Sequence, residues 1–93
     1  MNEDLRASIE QAAAALKEAG AREVYMFGSA TTGRMHEDSD VDMAVSGLPP
    51  EVFFKAMGIA GDILQRPLDL IDLDEDSPFT RYLRDERELV RVG

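Results

Sequence analysis

The sequence predicts an α/β fold, a small mixed β-sheet flanked by helices. Three observations predict it. Amphipathic helical patterns are interspersed with short runs of strand-forming residues, the order is helix, strand, strand, helix, strand, helix, strand, and glycine or proline separates most of the segments. A chain of 93 residues is long enough for one hydrophobic core and too short for two, so we expect a single domain over residues 1–93.

The first element is an amphipathic helix that ends at Gly20. Asn2 is a suitable N-cap, and glycine is the common residue just after a helix. The strand-forming segment Glu23–Phe27 comes next and stops at Gly28 and Ser29, which predicts a buried strand followed by a tight loop. The apolar face of the helix, with residues three or four apart, consists of Leu5, Ile9, Ala12, Ala13, Leu16 and Ala19.

A second strand and a second helix follow the loop. Apolar residues alternate with others over Val41–Val45, which predicts a strand, and Pro50 suits the first turn of a helix over Glu51–Gln65. Gly58 and Gly61 lie inside that helix, where each costs about 1 kcal/mol relative to alanine, and close packing on the sheet is one explanation for both. The helix is expected to bury Phe53, Met57, Ala60 and Leu64.

The C-terminal third predicts a strand, a helix and a short last strand. The segment Pro67–Leu73 is the third strand candidate, and Pro67 fits only at the strand's first position. Ser77 and Pro78 begin a helix that runs to about Arg87, and the last strand covers Leu89–Val92.

Composition excludes several classes of protein. Cysteine is absent, which excludes disulfide frameworks and thiolate metal sites. The formal net charge of -9 repels phosphate backbones, so we expect no direct nucleic-acid binding. No export signal precedes the first helix, so we expect a cytoplasmic protein that does not contact membranes.

An acidic cluster next to a glycine loop is the strongest functional signal. Asp40 and Asp42 point to the same side of a strand, where their carboxylates repel each other unless a cation lies between them, and Mg²⁺ is the obvious cation. The backbone N–H groups of the Gly28-Ser29 turn can hold an anion such as a triphosphate. Asp69 lies in an apolar strand, where a charge needs a metal or a hydrogen-bond partner. Phosphoryl or nucleotidyl transfer needs this arrangement.

Two residues of the third strand are candidates for the third carboxylate of the site. Asp72 lies three positions after Asp69, so a shift in the register of the third strand would exchange the two. We favour Asp69, with Asp72 as the alternative.

The chain resembles a known family. Gly28 and Ser29, then ten residues, then Asp40-Val41-Asp42 match the GS-x10-D-x-D signature of the minimal nucleotidyltransferases (MNT), the smallest members of the DNA polymerase beta-like nucleotidyltransferase superfamily. The strand Leu68–Ile71 is similar to the family's V-D-L-V strand, and the likeness extends over almost the whole chain. It covers in particular the MntA-type antitoxins of HEPN/MNT toxin-antitoxin systems.

The resemblance implies a fold, an activity and a set of roles. The fold is the polymerase beta-like nucleotidyltransferase fold. Asp40 and Asp42 bind two Mg²⁺ ions, Asp69 completes one metal site and helps to deprotonate the acceptor, and Gly28 and Ser29 hold the phosphates of ATP. The implied activity is transfer of AMP from ATP to a hydroxyl group, that of a tyrosine in a helical HEPN-type toxin.

Two alternatives remain open. The segment of residues 30–32, Ala-Thr-Thr, lacks the basic side chain that many relatives carry, which favours an antitoxin that neutralises its partner by contact alone. Transfer to a small molecule would need a separate substrate-binding subunit. The acceptor, the preferred nucleotide, the oligomeric state and the choice between Asp69 and Asp72 are not determined by the sequence.

Overall fold

A computed structural model describes residues 3–28, 40–85 and 89–93. The described residues form a four-stranded mixed sheet and three helices, so the predicted α/β class and the predicted order of elements are confirmed. The elements are α1 (Glu3–Glu18), β1 (Glu23–Phe27), β2 (Val41–Ser46), α2 (Pro50–Leu64), β3 (Leu68–Asp72), α3 (Pro78–Asp85) and β4 (Val90–Arg91).

The sheet has the strand order β3-β2-β1-β4. Strand β1 is antiparallel to both of its neighbours, β2 and β4, whereas β2 and β3 are parallel. The parallel pair needs a crossover, and α2 provides it. Since β2 and β3 run in the same direction, their first residues lie at the same end of the sheet as the last residue of β1.

Helices cover both faces of the sheet unequally. Helices α1 and α2 pack against each other on one face, over a core to which the strands contribute Val24, Met26, Val41, Met43, Val45 and Leu70. On the opposite face, Phe27, Ala44 and Leu73 form a smaller core with Leu83 of α3. Because side chains alternate along a strand, the residues two positions from Ala44 also face the α3 side.

Helix α1 buries the face that its periodicity predicts. Leu5, Ile9, Ala12, Ala13 and Leu16 are buried, whereas Ala19 lies beyond the last helical residue and is half-buried. Gly20, at a φ of 128°, follows the helix, and its N–H donates to the carbonyl of Lys17. The predicted cap at Asn2 lies outside the described residues.

Helix α2 corrects one detail of the predicted core. Ala60 and Leu64 are buried as expected, but the third buried residue is Ala56, while Phe53 and Met57 are only half-buried. The helix turns its alanines inward because small side chains permit close packing against α1. Apolar periodicity alone favoured the larger side chains. None of the helices in the described ranges is long and apolar enough to span a lipid bilayer.

The explanation of Gly58 by close packing is wrong. A Cβ atom built at Gly58 would meet nothing within 4 Å, and the residue is exposed in mid-helix. Gly61 lies nearer the sheet, where a Cβ atom would be 4.0 Å from the Cβ of Leu68.

We therefore expect Gly58→Ala to raise the free energy of unfolding by about 1 kcal/mol, because alanine loses less backbone entropy in a helix. Urea unfolding followed by circular dichroism measures the change. An unchanged or lower midpoint would contradict the open environment of Gly58.

Candidate active site

The register of the strands brings the predicted carboxylates together. Asp42 of β2 lies beside Asp69 of parallel β3, and on its other side it lies opposite Phe27, the last residue of β1. Register partners in adjacent strands point to the same side of a sheet, so both carboxylates face the α3 side. Asp40 immediately precedes β2 and is exposed. The three aspartates therefore lie at one end of the sheet.

The electrostatics of the cluster are unfavourable when it has no cation. Partial burial raises the pKa of the Asp42 carboxyl above its ordinary value, and the neighbouring carboxylates of Asp69 and Asp40 raise the pKa further. In the described part of the chain, no Lys or Arg forms an ion pair with any of the three. The folded chain thus disfavours the charged form of Asp42, which lowers stability as the pH rises through the range where that group ionises.

The backbone of Gly28 lies against the carboxylate of Asp42. Its φ of 72° is in the left-handed region, where side chains are disfavoured. A Cβ atom at this position would lie only 2.5 Å from Oδ2 of Asp42. Both the backbone conformation and the proximity of the Asp42 carboxylate therefore favour glycine at this position. Ser29, the other predicted phosphate-binding residue, lies outside the described residues, as do residues 30–32.

The rival carboxylate lies at the other end of the strand. Asp72 is aligned with Val45 rather than with Asp42, and its Oδ1 accepts a hydrogen bond of 2.9 Å from the N–H of Asp74. Asp74 in turn accepts hydrogen bonds from the Gly47 N–H at 2.7 Å and the Ser46 hydroxyl at 3.3 Å. Asp72 thus belongs to a turn that ties β3 to the end of β2, away from Asp40 and Asp42.

An aromatic pair beside the cluster is not evident from the sequence. Phe27, opposite Asp42, is buried, and its ring contacts that of Phe79 at a centroid distance of 6.0 Å and an interplanar angle of 67°. Phe79 belongs to the first turn of α3, so the contact fixes α3 against the strand that leads into the glycine loop. Only the folded chain brings these two residues together.

Comparisons with known proteins identify the fold and the family. The family model described as "Polymerase beta, Nucleotidyltransferase" matches residues 10–90, which is most of the chain. The chain belongs to this family. It is therefore a nucleotidyltransferase, and the predicted resemblance is confirmed.

Solved structures with the same fold include antitoxins. This nucleotidyltransferase is 26% identical to a protein described as a candidate minimal nucleotidyltransferase, with a TM-score of 0.77, covering 95% of this chain and 92% of that one. A toxin-antitoxin structure with AMP-PNP matches at 22% identity and a TM-score of 0.73, covering 90% and 72%.

A third match is the tri-AMPylated HEPN toxin of Shewanella oneidensis in complex with MNT antitoxin, at 17% identity and a TM-score of 0.69, covering 96% of this chain and 71% of that one. At this identity the match supports the fold. No curated protein sequence matches the chain significantly.

The three aspartates of this nucleotidyltransferase suit a divalent cation in charge and in ligand type. Mg²⁺ prefers carboxylate oxygens, and the raised pKa of Asp42 marks a place where a cation would relieve repulsion. Within residues 3–28, 40–85 and 89–93, no three acidic or histidine side chains already surround a common point closely enough to hold an ion. Since Asp40 and Asp69 are exposed, rotation about their side-chain bonds can bring their oxygens toward Asp42.

We expect Asp42→Asn to stabilise the metal-free chain, because asparagine has nearly the same shape and carries no charge. The gain is on the order of 0.5 kcal/mol, the size of like-charge repulsion between neighbouring strands. Thermal unfolding in EDTA at neutral pH tests it, with Asp62→Asn, an exposed position on α2, as the control. Equal shifts for both variants would show that net charge, not the cluster, is responsible.

Proposed function

We propose that this nucleotidyltransferase transfers AMP from ATP to a tyrosine hydroxyl of a HEPN-type toxin in a Mg²⁺-dependent reaction, and thereby acts as its antitoxin. The observation that carries the proposal is the register of β2 and β3, which aligns Asp42 with Asp69 at the end of the sheet where β1 enters the Gly28 loop. We further propose that residues 1–93 act as one minimal domain in the cytoplasm.

The proposed roles follow the geometry of the carboxylates. Asp40 and Asp42 would hold two Mg²⁺ ions, with Asp69 completing one of the two sites. When bound, Mg²⁺ would neutralise the carboxylates and the charge that develops on the phosphates. Gly28 and Ser29 would hold the phosphates of ATP through backbone N–H groups.

The chemical step is a substitution at the α-phosphorus of ATP. The tyrosine oxygen forms a bond to this phosphorus, the bond to the bridging oxygen breaks, and pyrophosphate leaves. Asp69 accepts the proton of the hydroxyl. Its carboxylate is exposed, so an acceptor from a second protein can reach it.

Two features support a protein acceptor. Within the described residues, Asp40 and Asp69 of the cluster are exposed, on the sheet face that carries the smaller core. A second molecule can therefore approach the cluster and supply binding surface for the acceptor. The AMPylated HEPN toxin in the S. oneidensis complex is such an acceptor in a structural relative.

Intact mass spectrometry tests the proposal. A HEPN-type toxin is incubated with the chain, ATP and Mg²⁺, in parallel with the Asp40→Asn/Asp42→Asn double variant and with the control Asp62→Asn. We expect one or more AMP units on the partner, lost only in the double variant. A partner that binds stably but stays unmodified would instead establish an antitoxin that acts by contact. Transfer to a small molecule with an unmodified partner would establish a different acceptor class.

A further inference from the structure

An apolar groove of about 370 Å³ follows the outer edge of β3. Residues from α2 form one wall, residues from the start of α3 form the other, and β3 lies between them. Its aromatic residues are unusually open to solvent: Phe54 is 76% exposed and Phe79 is 47% exposed. The lining consists of Pro50, Phe53, Phe54, Leu70, Ile71, Asp72, Glu75, Ser77, Phe79 and Thr80.

The backbone of β3 points hydrogen-bonding groups into this groove. The carbonyl of Pro67 accepts from the Val41 N–H, and the N–H of Leu73 donates to the Val45 carbonyl, so these residues face β2. Hydrogen-bonding direction alternates along a strand, and Leu68 and Leu70 therefore direct their N–H and C=O groups away from β2. An edge strand of this kind accepts a further strand.

The acidic side chains of the groove favour a partner with basic side chains. Asp72 and Glu75 line it, and in the described part of the chain neither forms an ion pair with Lys or Arg. The nearby Arg81 is already paired with Asp76 at 2.9 Å. Exposed aromatic faces such as that of Phe54 also attract cations. A strand with basic side chains therefore complements the groove.

The same charge argues against a second copy of this chain. Antiparallel pairing of two β3 strands about Leu70 would place Asp69 opposite Ile71 and Asp72 opposite Leu68 of the other copy, which leaves the carboxylates of both strands without a basic partner. The net charge of -9 adds repulsion over a longer range.

We propose that the β3 edge binds an extended segment of a partner protein in which basic residues alternate with apolar ones, adding a fifth strand to the sheet. Side chains of the added strand alternate between the two faces of the sheet. Its basic side chains face Asp72 and Phe54 on the α2 side, and its apolar side chains pack against Phe79 on the α3 side. The β3 residues that line the groove are centred on Ile71, about 7 Å along the strand from Asp69, and none of them is a proposed metal ligand.

Fluorescence anisotropy with a labelled peptide tests the proposal. The probe is a peptide of about eight residues, alternating Lys and Val, which is long enough to pair with β3. We expect saturable binding that Phe54→Ser weakens by about tenfold or more, and that Glu75→Lys also weakens. The same peptide with alternate backbone nitrogens methylated should not bind, because it cannot complete the ladder of hydrogen bonds.

The control variants make the same two kinds of substitution in a different groove of the surface. Ile59 is 46% exposed and lines a different groove, between α1 and α2, together with Glu18. Ile59→Ser and Glu18→Lys should leave peptide affinity unchanged, with thermal unfolding confirming that all variants are folded. Three results would each overturn the proposal. The first is a peptide affinity that Phe54→Ser and Glu75→Lys leave unchanged, and the second is a methylated peptide that binds as tightly as the unmethylated one. The third is a dimer of the chain that Phe54→Ser dissociates.

Discussion

Asp69→Asn is expected to lower the rate of AMP transfer by about 100-fold or more, the usual contribution of a general base. Asparagine occupies nearly the same volume but cannot accept the proton of the acceptor hydroxyl, and it contributes no negative charge to a metal site. The initial rate of AMP incorporation into the HEPN partner, followed by intact mass, measures the effect.

Asp72→Asn is the matched control for this prediction. Asp72 is an aspartate of the same strand, but it is aligned with Val45, and its Oδ1 accepts from the N–H of Asp74. An asparagine oxygen can accept the same hydrogen bond, so we expect an unchanged rate. If Asp72→Asn removed activity and Asp69→Asn did not, the third carboxylate would be Asp72, and the proposed role of Asp69 would be wrong.

Gly28→Ala is the second substitution with a large expected effect, about 100-fold on the transfer rate. The added Cβ atom would lie 2.5 Å from Oδ2 of Asp42, which forces the carboxylate or the loop to move. A displacement on the order of 1 Å near the reacting groups is enough for a loss of this size. The left-handed φ of 72° adds a conformational cost of roughly 1–2 kcal/mol.

Gly47→Ala separates the effect on the site from the effect on stability. Gly47 also has a left-handed φ, 81°, and a Cβ atom there would lie 2.6 Å from Nε of Arg22. Its turn lies at the opposite end of β2 from Asp42. Both variants should unfold at a lower temperature, but only Gly28→Ala should lose transfer. Equal losses of activity would show that instability alone accounts for the effect of Gly28→Ala.

Local sequence signals predict most of the elements of this fold. The strand at Glu23–Phe27 has its predicted bounds, and the other strands differ by one or two residues at their ends. Periodicity performs well here because β1 and β2 alternate between two apolar cores and α1 has a clear apolar side. Periodicity fails where close packing between helices determines which residues are buried. The spacing of apolar residues in α2 does not show that Ala56, rather than Phe53 or Met57, faces the core.

The candidate site is predictable in its residues and less so in its geometry. Asp40 and Asp42 share a side because of the two-residue period, which the sequence shows directly. Their proximity to Asp69 depends on the parallel register of β2 and β3, which is set by α2 and by the Asp74 turn, so the sequence left Asp72 as an alternative. The contact between Phe27 and Phe79, and the groove along β3, depend on distant segments and have no local signal.

The most direct test of the central claim is a crystal structure of the chain with Mn²⁺, a substitute for Mg²⁺ that can be located by anomalous scattering, and an ATP analogue that cannot be cleaved at the α-phosphorus. We expect anomalous peaks within bonding distance of the Asp40, Asp42 and Asp69 carboxylates, with the phosphates of the analogue against the Gly28 backbone. Metal and nucleotide bound elsewhere, with these carboxylates free of both, would contradict the assignment of this site.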